Sequence, residues 1–294
     1  MLELVEVKKS FGPRVAVDGV SLSVKTGEVF GLLGPNGAGK STTIGMCIGV
    51  LRPDAGSVRV GAGGLSPERP EVRRQLGVAP QSLAVYDELT GRENLAYFGT
   101  LQGLSGADLR ERVARTLESV GLSDRANDRV AGYSGGMKRR LNLAAALVHG
   151  PGLVLLDEPT AGVDPQSRNS ILDMVRRLAS GGTTVLYTTH YMEEAEKVCD
   201  RVGIIDNGRL LALGTVDELV GRFGGESVVR IRRAAGRGES DADGAGSGVT
   251  TIRTAQPIRE LERELATGTV ASVTIDRPDL EAVFLSLTGR SLRD

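Results

Sequence analysis

The stretch EVFGLLGPNGAGKST, residues 28–42, decides the fold. Its first seven residues form a nearly continuous apolar run, as a strand buried on both faces requires, and they lead straight into a glycine-rich turn. Gly34, Pro35, Asn36, Gly37, Ala38, Gly39, Lys40, Ser41 and Thr42 fit the pattern GxxxxGK[ST] of a phosphate loop. Small residues let successive backbone N–H groups point inward at a polyphosphate, and the helix expected over 40–51 adds its positive N-terminal end. Lys40 has the reach for the β- and γ-phosphates, and the Ser41 hydroxyl suits Mg²⁺. ATP binding follows. A dinucleotide fold fits worse, because no GxGxxG spacing occurs here.

Working outward, LVLLDEP at 153–159 is a second apolar run, ending in two adjacent acids. A buried strand delivers Asp157 and Glu158 to its carboxyl end, where open α/β sheets bind ligands. Asp157 is suited to hold Mg²⁺ through a water, and Glu158 to orient an attacking water and take its proton. His190 follows the strand-like TTVLYTT and should reach the same edge, there to meet the γ-phosphate. Gln81 lies after a short strand, where it could touch Mg²⁺ while its loop responds to a partner. Phe11, followed by Gly12 and Pro13, suits stacking on adenine, with a plain core aromatic as the alternative. Ser134 can cap a helix at YSGGM (133–137), where Gly135 and Gly136 expose backbone N–H groups. This second anion site lacks a lysine and so suits the nucleotide of another subunit, with a plain helix N-cap as the alternative. His149, before Gly150 and Pro151, reads as a helix-end residue.

The 294 residues suffice for one large domain and a small one. Lys and Arg (36) nearly cancel Asp and Glu (37), so a net charge of −1 gives no field for nucleic acid or anionic lipid. Cys47 and Cys199 match no metal spacing and read as reduced thiols in a cytoplasmic protein. No signal-peptide pattern and no run of about 18 apolar residues occurs, so a membrane role requires a partner. Strands are expected at 2–7, 20–24, 28–34, 153–156 and 183–188, helices at 138–148 and 167–179, and a helical lobe at about 87–145 with starts near Thr90 and Ser105. Beyond residue 222 the texture changes to a small α+β domain (223–294). It contains a Gly-, Ser- and Asp-rich flexible loop at 236–248, a strand at 269–275 and a helix at 279–290.

Together these residues resemble the nucleotide-binding subunit of an ATP-binding cassette (ABC) transporter over residues 2 to about 220. GPNGAGKST is similar to its Walker A motif, LVLLDEP to Walker B, Gln81 to the Q-loop, YSGGM to the signature, AGVDP (161–165) to the D-loop and His190 to the H-loop. The resemblance implies a P-loop NTPase α/β core with an antiparallel β subdomain and a helical lobe over residues 1–222. It also implies a head-to-tail dimer, of two copies or two different cassettes, with ATP between Lys40 of one chain and Ser134, Gly135 and Gly136 of the other, and Asp164 across the seam. Two departures stand out: Tyr133 and Met137 replace the Leu and Gln of the common LSGGQ signature, and Phe11 replaces the family's usual Tyr. YSGGMKRRL, YDELTGRENL (86–95) and DLEAVFLSLTGR (279–290) resemble the branch serving ABC-2 type exporters and antibiotic-resistance ATPases. That implies a separate polytopic permease at the inner face of the cell membrane and no nucleic-acid partner. The competing reading is a non-transport cassette ATPase in a soluble complex.

Overall fold

The computed structural model describes residues 1–233, 249–267 and 270–291, with the backbone alone for Arg233 and Thr267. The expected loop at 236–248 lies outside the described residues. The chain divides into two compact units, Met1–Val216 and Asp217–Asp294; the sequence reading drew its boundary at 222.

In the first unit, β1 (Leu2–Phe11) and β2 (Arg14–Val24) form an antiparallel hairpin whose last pair sets Phe11 opposite Arg14. Both strands outrun the expected 2–7 and 20–24. β3 (Val29–Leu33) is buried at all five positions and passes through the phosphate loop into α1 (Lys40–Cys47). That helix stops short of residue 51 because Gly49 turns into the left-handed region at φ 70°. β4 (Ala55–Val60), which the alternation did not reveal, pairs with β1. After the short α2 (Pro70–Arg73) comes β5 (Leu76–Ala79), the strand expected before Gln81. The lobe comprises α3 (Gly91–Leu101), α4 (Gly106–Ser119) and α5 (Gly135–Leu147). α3 begins at Thr90 with a reciprocal cap: Thr90 Oγ1 accepts from Glu93 N at 3.1 Å, and Thr90 N donates to Glu93 Oε2 at 2.8 Å.

The remainder alternates as β6 (Leu153–Asp157), α6 (Pro165–Ser180), β7 (Thr184–Thr189), α7 (Met192–Val198), β8 (Arg201–Asp206) and β9 (Arg209–Gly214). Among the described residues the main sheet has the order β5-β6-β7-β3-β8-β9, parallel except for the β8–β9 pair. Its central strands pack on both faces with strict alternation. Phe30, Leu32, Leu153, Leu155 and Leu186 join α1 and the β2-β1-β4 sheet. Val154, Leu156, Val185 and Tyr187 join α5, α6 and the lobe residues Leu95, Val113 and Leu117. Each such side chain contributes about 1.5–3 kcal/mol by leaving water, which is why these runs carry no charge before their ends.

The second unit contains α8 (Val216–Phe223), β10 (Ser227–Arg233), β11 (Val249–Thr254), α9 (Pro257–Thr267), β12 (Val270–Asp276) and α10 (Leu280–Thr288). β10 lies between β11 and β12 and buries Val229 and Ile231.

Candidate functional site

The strand order brings the chemistry together. β5, β6, β7 and β3 are neighbours and run parallel, so the segments after them open at one edge of the sheet: Gln81 after β5, Glu158 after β6, His190 after β7 and the phosphate loop after β3. Two glycines of that loop are required by space. A Cβ on Gly34 would stand 2.1 Å from the Ile205 carbonyl oxygen, and Gly39 has φ 105° with the Ala16 carbonyl 2.5 Å from any Cβ.

Lys40 Nζ donates to the Gly34 carbonyl (2.7 Å) and the Pro35 carbonyl (3.1 Å), and lies 3.0 Å from Glu158 Oε1. Gln81 Nε2 donates to Glu158 Oε2 at 3.0 Å, and His190 Nδ1 approaches the same oxygen to 3.1 Å, as a close contact rather than an aligned hydrogen bond. Glu158 itself has φ 45°, the left-handed region, where a non-glycine residue carries strain of order 1–2 kcal/mol. Its N–H is held there by the Thr188 carbonyl (3.2 Å) and Thr188 Oγ1 (3.0 Å). Burial pushes the Glu158 carboxyl up, but the Lys40 ammonium and then His190 more than offset it and hold the group below the usual carboxylate range. It is therefore an ionised base at neutral pH. Asp157 is buried and accepts from Thr188 Oγ1 at 2.7 Å.

A cleft of about 480 Å³ is lined by Phe11, Arg14, Asn36, Lys40, Ser41 and Thr42, with Gln81 and Glu158 at its end. Phe11 is 49% exposed, which excludes the reading of a core aromatic, and Lys9 Nζ lies 5.8 Å from its ring centroid. Arg14 was not anticipated; the signal was a basic residue one turn away from the aromatic. Ser134, Gly135, Gly136 and Asp164 do not line this cleft. Ser134 Oγ caps α5 by accepting from Met137 N (3.3 Å), and Asp164 caps α6 by accepting from Ser167 N (2.9 Å) and Ser167 Oγ (2.6 Å). Gly136 packs against that cap: a Cβ there would sit 2.1 Å from Ser167 Oγ. These four residues therefore lie apart from the cleft, at the capped starts of α5 and α6. Tyr133 uses its hydroxyl to donate to the Arg125 carbonyl at 2.6 Å, a structural task for the residue that departs from the common signature.

Of the buried charges that escaped the sequence reading, Glu194 and Arg139 bear on the site. Glu194, on α7, accepts from Thr160 Oγ1, Tyr187 OH and Thr189 Oγ1 at 2.7–2.9 Å, tying the segment after Glu158 to the segment before His190. Arg139, on α5, donates to two backbone carbonyls, those of Gln81 and Ala161. His149 stands at the helix end, directly after the C-cap Val148 of α5, and its Nε2 contacts the Leu76 carbonyl at 3.1 Å. Burial lowers its titration point. Cys47 and Cys199 are free thiols whose titration burial pushes up, Cys47 to about 12. Among the described residues no cluster of three His, Cys, Asp or Glu side chains could hold a metal. Of the three expected magnesium ligands, Ser41 and Gln81 line the cleft with hard oxygens, whereas Asp157 is not among its lining residues.

Residues 17–161 match the family model described as ABC transporter. Over its whole length the chain is 43% identical to the linearmycin resistance ATP-binding protein of Bacillus subtilis (strain 168), covering all of that protein. It is 42% identical to the daunorubicin/doxorubicin resistance ATP-binding protein of Streptomyces peucetius, again over the whole chain and 94% of the relative. The Nod factor export ATP-binding protein I of Paraburkholderia xenovorans (strain LB400) is 41% identical, with 100% and 98% covered. A solved ATP-binding subunit of an ABC transporter superposes with TM-score 0.68 at 33% identity, over 76% of this chain and 93% of that one. A dimeric cassette in a post-hydrolysis state bound to ADP and phosphate gives 0.66 at 26%, over 73% and 98%.

Proposed function

Because the chain belongs to the ATP-binding subunits of ABC transporters and is an ATP hydrolase, we propose that it powers export of a drug-, antibiotic- or lipid-like molecule through a separate ABC-2 type permease. The observation that carries export is the match at 41–43% identity, across the entire chain, to proteins named for resistance and export.

In this reading Phe11 stacks on adenine, residues 34–42 cradle the phosphates, and Lys40 exchanges part of its present hydrogen bonding for phosphate oxygens. Ser41, Asp157 and Gln81 hold Mg²⁺, which would supply charge neutralisation at the phosphates. Glu158 orients water and takes its proton, and His190 steadies Glu158 from beside it. Ser134, Gly135 and Gly136, with the Asp164 segment, complete the site of a second cassette in a head-to-tail dimer. The separation of the two half-sites within one chain supports this arrangement. The second unit, Asp217–Asp294, forms the accessory domain.

No described helix is long and apolar enough to cross a membrane, so the permease must supply the span and would hold this subunit on its cytoplasmic face. A groove of about 260 Å³ between β5, α3 and α5, lined by Leu76, Val78, Phe98, Leu101, Ala145 and His149, supports docking of a cytoplasmic helix there. Affinity purification of the chain from membranes tests the proposal: a polytopic membrane protein should co-purify, and recovery of a wholly soluble complex would favour the non-transport reading.

A further inference from the structure

α5 presents Arg139 and Asn142 three residues apart, on one face. Asn142 Oδ1 accepts from Ala84 N at 2.9 Å and its Nδ2 donates to the Pro80 carbonyl at 3.2 Å. Between those two grips, Arg139 Nη1 donates to the Gln81 carbonyl at 2.6 Å. The helix therefore clasps the 80–84 loop at three points. The other arm of the same guanidinium, Nη2, donates to the Ala161 carbonyl at 2.8 Å.

Arg139 is 7% exposed. A buried guanidinium is costly unless its donors are used, and here Arg139 donates to two neutral backbone carbonyls from two different loops. Packing alone does not call for this, since an apolar side chain would fill the space without desolvating a charge. Both arms end one hydrogen bond from Glu158: Gln81 Nε2 donates to Glu158 Oε2 at 3.0 Å, and Ala161 N donates to the Glu158 carbonyl at 3.0 Å. At its other end the helix begins with Ser134 and Gly136, only a turn away at 1.5 Å per residue.

We propose that Arg139 is a positioning residue for hydrolysis, a two-armed strut that locks the Gln81 loop and the turn after Glu158 to the helix carrying Ser134 and Gly136. A shift of that helix when its N-terminus meets a nucleotide is then delivered to Glu158 by two backbone routes at once. The inference rests on the reading of Glu158 as the residue that activates water.

The test compares ATP turnover by the full chain, affinity for a fluorescent ATP analogue and amide hydrogen exchange in the wild type, Arg139→Met, Arg139→Lys and Glu158→Gln. Arg139→Met keeps the apolar stem and removes both donors. Its kcat should fall roughly 10²-fold, the scale of a misplacement of about 1 Å, while KM for ATP stays within about threefold. Exchange should rise at 81–84 and at 161–163 together, with amides 143–146 of α5 still protected. Arg139→Lys keeps the charge but offers one nitrogen to two carbonyls, so kcat should drop by roughly tenfold; this variant decides the matter if Arg139→Met does not fold. Wild-type kcat in Arg139→Lys, or loosening that spreads along α5 with KM and kcat lost together, would overturn the proposal. Normal turnover by Glu158→Gln would instead overturn the reading of Glu158, and the exchange pattern of the Arg139 variants separates the two failures.

Discussion

The Lys40 ammonium stands 3.0 Å from Glu158 Oε1, and both side chains are almost wholly buried, at 5% and 7% exposed. Their strands β3 and β6 flank β7, about 10 Å apart at the usual strand spacing, so the long lysine side chain closes a gap the backbone leaves. The ammonium and the carboxylate thereby neutralise each other in a place where either alone would be costly.

Lys40→Ala should lower ATP affinity by at least about 100-fold, because it removes the one cation that reaches the β- and γ-phosphates from the loop. Titration with a fluorescent ATP analogue measures this. Retained wild-type affinity would remove Lys40 from the phosphate site and leave its role as the partner of Glu158.

How much of this was legible in the sequence depends on where each signal resides. Lys40, Glu158 and His190 each follow an uncharged buried run, so the break in hydropathy announced them. β4, α7, β8, β9 and β11 went unread because short elements such as RVGIID (201–206) and MEEAEKV (192–198) carry too few residues to establish a period. Arg139 and Glu194 were hidden for a different reason. Charged side chains normally mark a solvated face, and nothing local signals that three hydroxyls or two distant carbonyls will converge on one. Phe11 was read as a stacking residue, but Arg14 across the hairpin needed the strand pairing to be noticed.

Glu158→Gln keeps the side-chain volume and an oxygen for the Gln81 contact, but removes the base. Turnover should fall by roughly 10²–10⁴-fold with ATP binding retained, and the chain should accumulate as an ATP-dependent dimer in size-exclusion chromatography. Hydrolysis at the wild-type rate would exclude Glu158 as the base; loss of turnover without a dimer would count against the composite site.

Gly136→Ala probes the proposed second half-site without touching Lys40. Its Cβ would meet Ser167 Oγ at 2.1 Å and Ser167 Cβ at 2.7 Å, so the start of α5 must move away from the Asp164 cap. ATP affinity of the single chain should stay within about threefold, while dimer formation and turnover fall by roughly tenfold or more. Adding Ser167→Gly removes both colliding atoms and should restore part of the activity. If the double variant is as impaired as the single one, the collision is not the cause.

His149 gives the fold a pH dependence of definite sign. Burial lowers its titration point first, the nearby Arg112 lowers it further, and the Leu76 carbonyl opposes both, with a net value below the ordinary 6.5. The unfolded chain therefore takes up this proton before the folded one does. The stability that neutral His149 contributes is fully present above pH 6.5 and is lost as the pH falls from there through the depressed folded value. Urea unfolding at about pH 7.5 and about pH 5.5 should show a larger drop in midpoint for the wild type than for His149→Gln, which cannot titrate in that range. Equal drops would mean that other groups set the acid sensitivity. Because His149 also lines the groove between β5 and α5, a helix docked there should protect it from the proton and flatten the wild-type difference.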